Sequence, residues 1–251
     1  ASHQRQLADI DTVDVFNRSN ILRFNKVFLR QNKYSAHVFY NTKLNAKNTI
    51  TAGVIANVYD LLFSDRISYN GAFFPMKYAK GYSTLAQVYA QWQHKFSDQL
   101  VLNTGIHIQH FSLSRSTSAP APRVGLRYQF KENQYVSFGY GLHHQIQPLP
   151  TYYNAEVTAL GNGKPTNLNM GFSRSNHLVL GYDLTFKKDF HFKAETYFQY
   201  IDKVPVEKFS SSFSMLNAGA EFSTPNNTNL TNKGVGMNYG VELTMEKFFS
   251  K

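Results

Sequence analysis

The sequence has no cysteine, few charged residues and no long apolar run. The absence of cysteine from 251 residues excludes a disulfide scaffold, a thiolate zinc site and a cysteine nucleophile. Charged residues make up 17% of the chain, below the roughly 25% of an ordinary soluble domain. No stretch reaches the ~20 apolar residues of a membrane helix, and the first six residues contain no apolar signal segment. These absences leave a chain that is polar on average and has no candidate membrane helix.

What the sequence does contain is aromatic residues in alternating patterns. There are 16 Tyr and 21 Phe, and apolar residues recur at every second position along most of the chain, which is the period of a β-strand. One predicted face carries Leu126, Tyr128, Phe138, Tyr140, Leu180, Tyr182, Leu243 and Met245, and the other carries Arg127, Asp183, Lys193, Glu195 and Glu242. A packed sandwich core does not accept such charges, whereas the wet lumen of a membrane barrel does. The first set is therefore predicted to face lipid and the second the concave side.

The connections between the predicted strands come in two kinds. Short turns are predicted at residues 45–48, 97–98, 131–133 and 188–189, and long loops at 68–81, 114–122, 147–175 and 205–234. In a barrel that crosses a membrane, tight turns face one compartment and longer loops face the other. The sequence therefore predicts an all-β, antiparallel up-and-down transmembrane β-barrel, with all of residues 1–251 in one barrel domain of about ten strands.

Three stretches carry a resemblance to a known family. They are Pro120 to Tyr128, Tyr135 to Leu149 followed by Tyr152-Tyr153, and Asn232 to Leu243. Their residues, order and spacing resemble the barrel of TonB-dependent outer-membrane receptors, in the branch that carries a carboxypeptidase-regulatory-like domain ahead of its plug. The resemblance implies a receptor of ~22 strands, so about ten strands without a plug or TonB box are interpreted as a middle fragment. We expect an open, curved sheet with free edges near residues 20–30 and 236–248.

The resemblance also implies location, partners and function. It places the chain in the cell outer membrane, among lipid and lipopolysaccharide, with a plug domain and a TonB-type energy-transducing protein as partners through missing parts of the chain. The implied function is uptake of a scarce ligand of the siderophore, glycan or peptide class. The alternative is a complete small barrel that acts as an enzyme or adhesin.

The candidate binding residues are aromatic pairs in predicted external loops and polar residues of the lumen wall. Tyr152-Tyr153 and Phe73-Phe74 could stack on a sugar, siderophore or peptide, and His143 and Arg127 join them as candidates. The net charge of +10 suits an anionic ligand or lipopolysaccharide phosphates. The basic residues do not form the stripe that is typical of a nucleic-acid-binding protein, so nucleic acid is not predicted as a partner.

The sequence predicts no catalytic residue, no metal site and no cofactor. His143 and His144 are adjacent on one strand and point to opposite faces, so they cannot chelate one metal together. Residues 161–166 resemble a phosphate loop only superficially, since they lack its spacing and have Pro165 where a helix would begin. No nucleophile elbow is present. We therefore predict that the chain is not an enzyme.

Overall fold

The chain folds almost entirely into β-strands. The computed structural model describes residues 2–13, 21–69, 72–158, 161–186, 189–218 and 225–248. Within these residues the strands are β1 (Ser2–Val13), β2 (Ile21–Lys43), β3 (Asn48–Tyr69), β4 (Ala72–Lys95), β5 (Leu100–Phe111), β6 (Ser116–Thr117), β7 (Ala121–Lys131), β8 (Gln134–Gln145), β9 (Ala155–Thr158), β10 (Gly161–Pro165), β11 (Ser173–Phe186), β12 (Phe190–Glu207) and β13 (Leu230–Lys247). One short helix, α1, covers Leu149–Tyr152. No helix in the described ranges is long and apolar enough to cross a membrane.

Ten of the strands form one antiparallel meander. Their order is β1-β2-β3-β4-β5-β7-β8-β11-β12-β13, β6 pairs at the end of β5, and β9 and β10 form a separate hairpin. Among the described residues β1 and β13 do not pair with each other, so the predicted open sheet of about ten strands is confirmed. The predicted edge at residues 20–30 is wrong. Residues 21–30 belong to β2, which pairs with both β1 and β3, and the edge strand is β1.

The short turns lie at one end of the sheet, as predicted. They join β2 to β3, β4 to β5, β7 to β8 and β11 to β12. Because consecutive strands are antiparallel, these four connections lie at the same end of the strands. Residue 188 of the last turn lies outside the described residues. We call this end of the sheet the short-turn end and the opposite end the long-loop end. At the long-loop end, residues 146–172 connect β8 to β11 and residues 208–229 connect β12 to β13.

The predicted long loop at residues 68–81 is wrong. Strands β3 and β4 continue to pair up to Tyr69 and Ala72 and form one extended hairpin. The register shifts between Asp65 and Arg66, where Arg66 comes to oppose Pro75. A bulge is one of the few places where a sheet accepts proline, which cannot donate to the ladder. Pro75 therefore marks a bulge here and does not end the strand.

The two faces of the sheet are divided as the alternation predicts. The register aligns Leu126 with Phe138 and Leu180 on one face, and Arg127 with Ser137, Gly181, Glu195 and Glu242 on the other. The first, the apolar face, is strongly exposed, with Val38 at 74% and Tyr239 at 78%. Exposure of this size suits contact with lipid, because water would penalise so large an apolar surface. The second is called the polar face.

The polar face is the concave one. Near the long-loop end it carries a hydrophobic cluster that joins distant strands. Its members are Leu29, Tyr59, Leu61, Phe63, Ala79, Leu85, Phe111, Leu149, Tyr152, Met170, Phe172 and Leu230. Leu230 of β13 belongs to the same cluster as residues of β2 to β5, although these strands lie far apart in the sheet order. The sheet must curve to bring both sides to one cluster, so the long loops fold over its inside.

Candidate functional site

The polar face near the short-turn end is a network of paired charges. Lys193 Nζ lies 2.7 Å from Glu195 Oε2, and His191 lies 3.1 Å from Asp183 and 3.4 Å from Glu246. The Arg127 guanidinium lies 4.2 Å from the centre of the Tyr135 ring. The charged groups that pair here lie on β11, β12 and β13, so hydrogen-bonding groups of these three strands are occupied within the chain.

Farther toward the long-loop end, the same face carries basic side chains without carboxylates. This basic cluster consists of Arg123, His107, His143 and His177. Arg123 lies between Gly105 on β5 and Gly141 on β8, and Gly141 in turn pairs with His177 on β11. A Cβ at Gly141 would lie 2.5 Å from His143 Nε2, so the His143 ring fills the space beside Arg123 that a side chain would take. Glycine at this position is what lets the imidazole approach the guanidinium.

A cavity of about 690 Å³ opens beside the basic cluster. Strands β8, β11 and β12 supply its wall, including His143, His177 and Gln199, and residues 215–218 of the long loop supply the other side. Leu216 reaches down to β13, where a Cβ at Gly236 would lie 2.4 Å from its Cδ1. Two smaller cavities, of about 500 and 330 Å³, both include Arg123 and Gln91. Arg123 therefore lines two of these three cavities, and His143 and His177 line the third.

Two asparagines fasten the long loops together above this space. Asn154 Nδ2 donates to the carbonyl oxygens of Pro225 (2.8 Å) and Asn227 (2.9 Å). Asn167 Nδ2 donates to the carbonyls of Thr151 (3.0 Å) and Asn227 (2.9 Å), while its Oδ1 accepts from the Leu230 backbone N–H (3.0 Å). Both side chains are only 1% exposed. The loop after β8 and the loop after β12 therefore behave as one packed unit.

Lys77 ties this loop unit to the β3–β4 hairpin. Its Nζ donates to Asn154 Oδ1 (3.0 Å) and to Asn226 Oδ1, and Asp65 pairs with it across the strands. Lys77 lies in the outer part of β4, beyond the ~9–11 residues that a strand needs to cross a bilayer from the short-turn end. Burial lowers the pKa of Lys77 to about 8, and the nearby Asp65 carboxylate opposes that shift.

The predicted site residues are not brought together in one place. His143 lines the largest of these cavities, and Arg127 lies on the same face near the short-turn end. Tyr152 is fully buried, with its ring 5.4 Å from that of Phe111, and its hydroxyl accepts from the Gln147 backbone N–H at 3.2 Å. Burial raises the pKa of the Tyr152 hydroxyl to about 12. Its neighbour Tyr153 is half-buried against the hydrophobic cluster.

Phe73 and Phe74 lie in strand β4, not in the loop that the sequence suggested. They pair with Ser68 and Ile67 near the tip of the hairpin. Their exposed fractions are 38% and 51%, so both rings are open to an approaching molecule. Contact between ligand and any of the six candidate residues stays a prediction.

Sequence reasoning missed the basic cluster as a unit. The alternation of the sequence places Arg123, His143 and His177 on the polar face. Only the pairing of β5, β7, β8 and β11 brings them onto neighbouring strands at a similar height. No group of three or more His, Cys, Asp or Glu within the described ranges is arranged to hold a metal ion.

Comparison with known proteins gives a consistent picture of the fold. A family model described as "TonB dependent receptor-like, beta-barrel" matches residues 3–250. A comparison with curated proteins found no match. Among solved structures, the ferric enterobactin receptor PfeA (G324V mutant) of Pseudomonas aeruginosa is similar, with a TM-score of 0.63 and 12% identity over 97% of this chain and 37% of that one.

Two further structures show the same likeness. The copper transporter OprC has a TM-score of 0.62 and 8% identity, over 90% of this chain and 36% of that one. The RagAB peptide importer has a TM-score of 0.60 and 12% identity, over 90% of this chain and 29% of that one. At such identities the likeness shows the fold alone, and this chain spans between about three and four tenths of the length of these proteins.

Proposed function

This chain belongs to the TonB-dependent receptor β-barrel family, and from that membership we propose that it forms the wall of an outer-membrane receptor that imports a scarce extracellular ligand. The observation that carries the proposal is the two-faced sheet. Its apolar face suits lipid, and its concave polar face holds a cavity of about 690 Å³ beneath packed loops. A wall with lipid outside and polar space inside is what a ligand path across a membrane requires.

The partners follow from the same argument. Lipid and lipopolysaccharide cover the apolar face, and a plug domain and a TonB-type energy-transducing protein complete the receptor. The stretches 120–128, 135–149 and 232–243 support the branch with a carboxypeptidase-regulatory-like domain. The family and the similar structures are receptors and transporters, which supports transport without reaction chemistry.

The ligand is proposed to be of the siderophore, glycan or peptide class. The exposed rings of Phe73 and Phe74 at the hairpin tip would meet it first, and His143 would contact it in the cavity. Tyr153 and Arg127 are further candidate contacts along the polar face. Tyr152 would take part only after the loop unit rearranges, since its ring has no exposed surface.

The test is uptake of labelled ferric siderophores, oligosaccharides and peptides by cells with and without the gene. We expect one class to accumulate only when the gene is present, and accumulation to stop when a protonophore collapses the proton gradient. His143→Trp, which fills the cavity, should reduce uptake severalfold. His110→Trp is the matched control, because His110 is exposed on β5 and contacts Thr117 away from the cavity.

Two outcomes would contradict the proposal. One is accumulation of all three ligand classes that is independent of the gene. The other is gene-dependent chemical conversion of a ligand outside the cell without accumulation, which would favour an enzyme.

A further inference from the structure

We propose that the basic cluster is a binding site for an oxyanion, a carboxylate or phosphate group carried by a small diffusible ligand. The inference rests on the proposed function only in taking the concave polar face as the wall of the ligand path. Its evidence is the arrangement of charge, hydrogen-bonding capacity and open space around Arg123.

The charge around Arg123 is unbalanced. None of the ion pairs in the described part of the chain involves Arg123, His107, His143 or His177. Glu195 pairs with Gly181, four residues along β11 from His177, which is roughly 13 Å at the rise of a strand. The Arg123 guanidinium therefore has no carboxylate partner in the described part of the chain, whereas Lys193 is paired with Glu195 nearer the short-turn end.

The guanidinium also has unused hydrogen-bonding capacity. Arg123 Nε is buried and has no hydrogen-bond partner among the described residues. A buried N–H without a partner costs free energy, and the planar guanidinium is shaped to donate two parallel bonds to a carboxylate or phosphate. An oxyanion would satisfy both the charge and the donor.

Space for the anion lies in front of Arg123, which lines the cavities of about 500 and 330 Å³. The neighbouring strands carry glycine beside it, Gly105 and Gly141, and the side chains of Gln91 and His143 occupy the places that larger residues there would take. His107 and His143 each lie two residues from these glycines, toward the long-loop end, where His107 pairs with Ala121 and His143 with Ser175. Each imidazole can donate one further hydrogen bond to an anion held at Arg123.

The test is direct binding of two simple anions to the protein purified from outer membranes in detergent. Citrate and pyrophosphate serve as carboxylate and phosphate probes in isothermal titration calorimetry at millimolar concentration. We expect at least one of the two to bind, Arg123→Gln to weaken that binding at least tenfold, and Arg123→Lys to keep part of it. His143→Gln should weaken it by a smaller factor, which supports the assignment if Arg123→Gln assembles poorly.

Arg66→Gln is the matched control. It removes the same charge from an exposed arginine whose Nε donates only to the nearby Ser64 hydroxyl at 3.3 Å. Its anion affinity should equal that of the unaltered protein.

Three results would overturn the inference. They are absence of binding of both anions to the unaltered protein, equal affinity in Arg123→Gln, and equal weakening by Arg66→Gln. If neither anion binds and Arg123→Gln also lowers the yield of assembled protein, the arginine pairs with a carboxylate of the receptor itself. Ligand uptake without anion binding overturns this inference alone, and anion binding by a protein that imports nothing overturns only the proposed function.

Discussion

Replacing Asn167 with alanine should release the long loops while leaving the sheet intact. The side chain is 1% exposed and binds three backbone groups in two other segments, at Thr151 and at Asn227 and Leu230. A hydrogen bond of this kind stabilises by about 1 kcal/mol net, so losing three costs roughly 3 kcal/mol of the free energy of loop opening. At ~1.4 kcal/mol per factor of ten, opening becomes roughly a hundredfold more frequent.

Hydrogen exchange followed by mass spectrometry measures this opening directly. Amides of residues 149–154, 166–170 and 225–231 should exchange roughly a hundredfold faster, while those of β7 and β8 should be unchanged, since local opening and global unfolding are separate events. Asn103→Ala is the control, because Asn103 is exposed and accepts only one side-chain bond, from Gln93 at 3.0 Å. Unchanged exchange in the loops of Asn167→Ala, or equal acceleration by Asn103→Ala, would refute the reasoning.

Two further predictions concern the membrane face and the buried lysine. Tyr140→Arg places a charge on the apolar face, at a cost of roughly 2–4 kcal/mol near the bilayer midplane. In a heat-modifiability gel it should impair assembly far more than Ser137→Arg, which places the same charge on the polar face. Equal assembly of the two variants would contradict the assignment of these residues to opposite faces. Burial lowers the folded-state pKa of Lys77 to about 8 from 10.5. At pH values between these two, the open state therefore binds more protons than the closed state. The free energy of loop opening should accordingly rise as the pH increases from about 8 to about 10.5. The rise should be absent in Lys77→Met, and an equal rise in that variant, measured by hydrogen exchange corrected for intrinsic rates, would assign the effect to another group.

The strand faces and the short turns could be predicted because both are local features. Alternation at every second residue decides which side chains share a face, and that is why Leu180 and Glu195 were placed correctly without any knowledge of pairing. The tight turn at residues 131–133 is likewise set by a few polar residues between two alternating runs. Each of these signals lies within about twenty residues of sequence.

The errors arose where pairing between strands overrides local composition. Residues 68–81 contain Pro75 and Gly81 and lack clean alternation, yet the ladder between β3 and β4 continues as far as Tyr69 and Ala72. Residues 2–13 carry several charged and polar residues, and their strand is defined by pairing with β2. Arg123 and His177 meet only because of the register of three strands. Such contacts depend on which strands are neighbours, and no single segment encodes that.

In the proposed receptor, the length of the β3–β4 hairpin has a practical consequence at the cell surface. Its strands have 22 and 24 residues, about twice the ~9–11 that cross a bilayer at a tilt, so roughly half of each strand stands outside the membrane. At ~3.3 Å per residue this overhang is on the order of 40 Å long. An epitope inserted between Tyr69 and Ala72 would be carried clear of the lipid headgroups, within reach of antibodies and phage tail fibres. Selection by such agents would act on the hairpin tip, while lipid contact constrains the lower half of the same two strands.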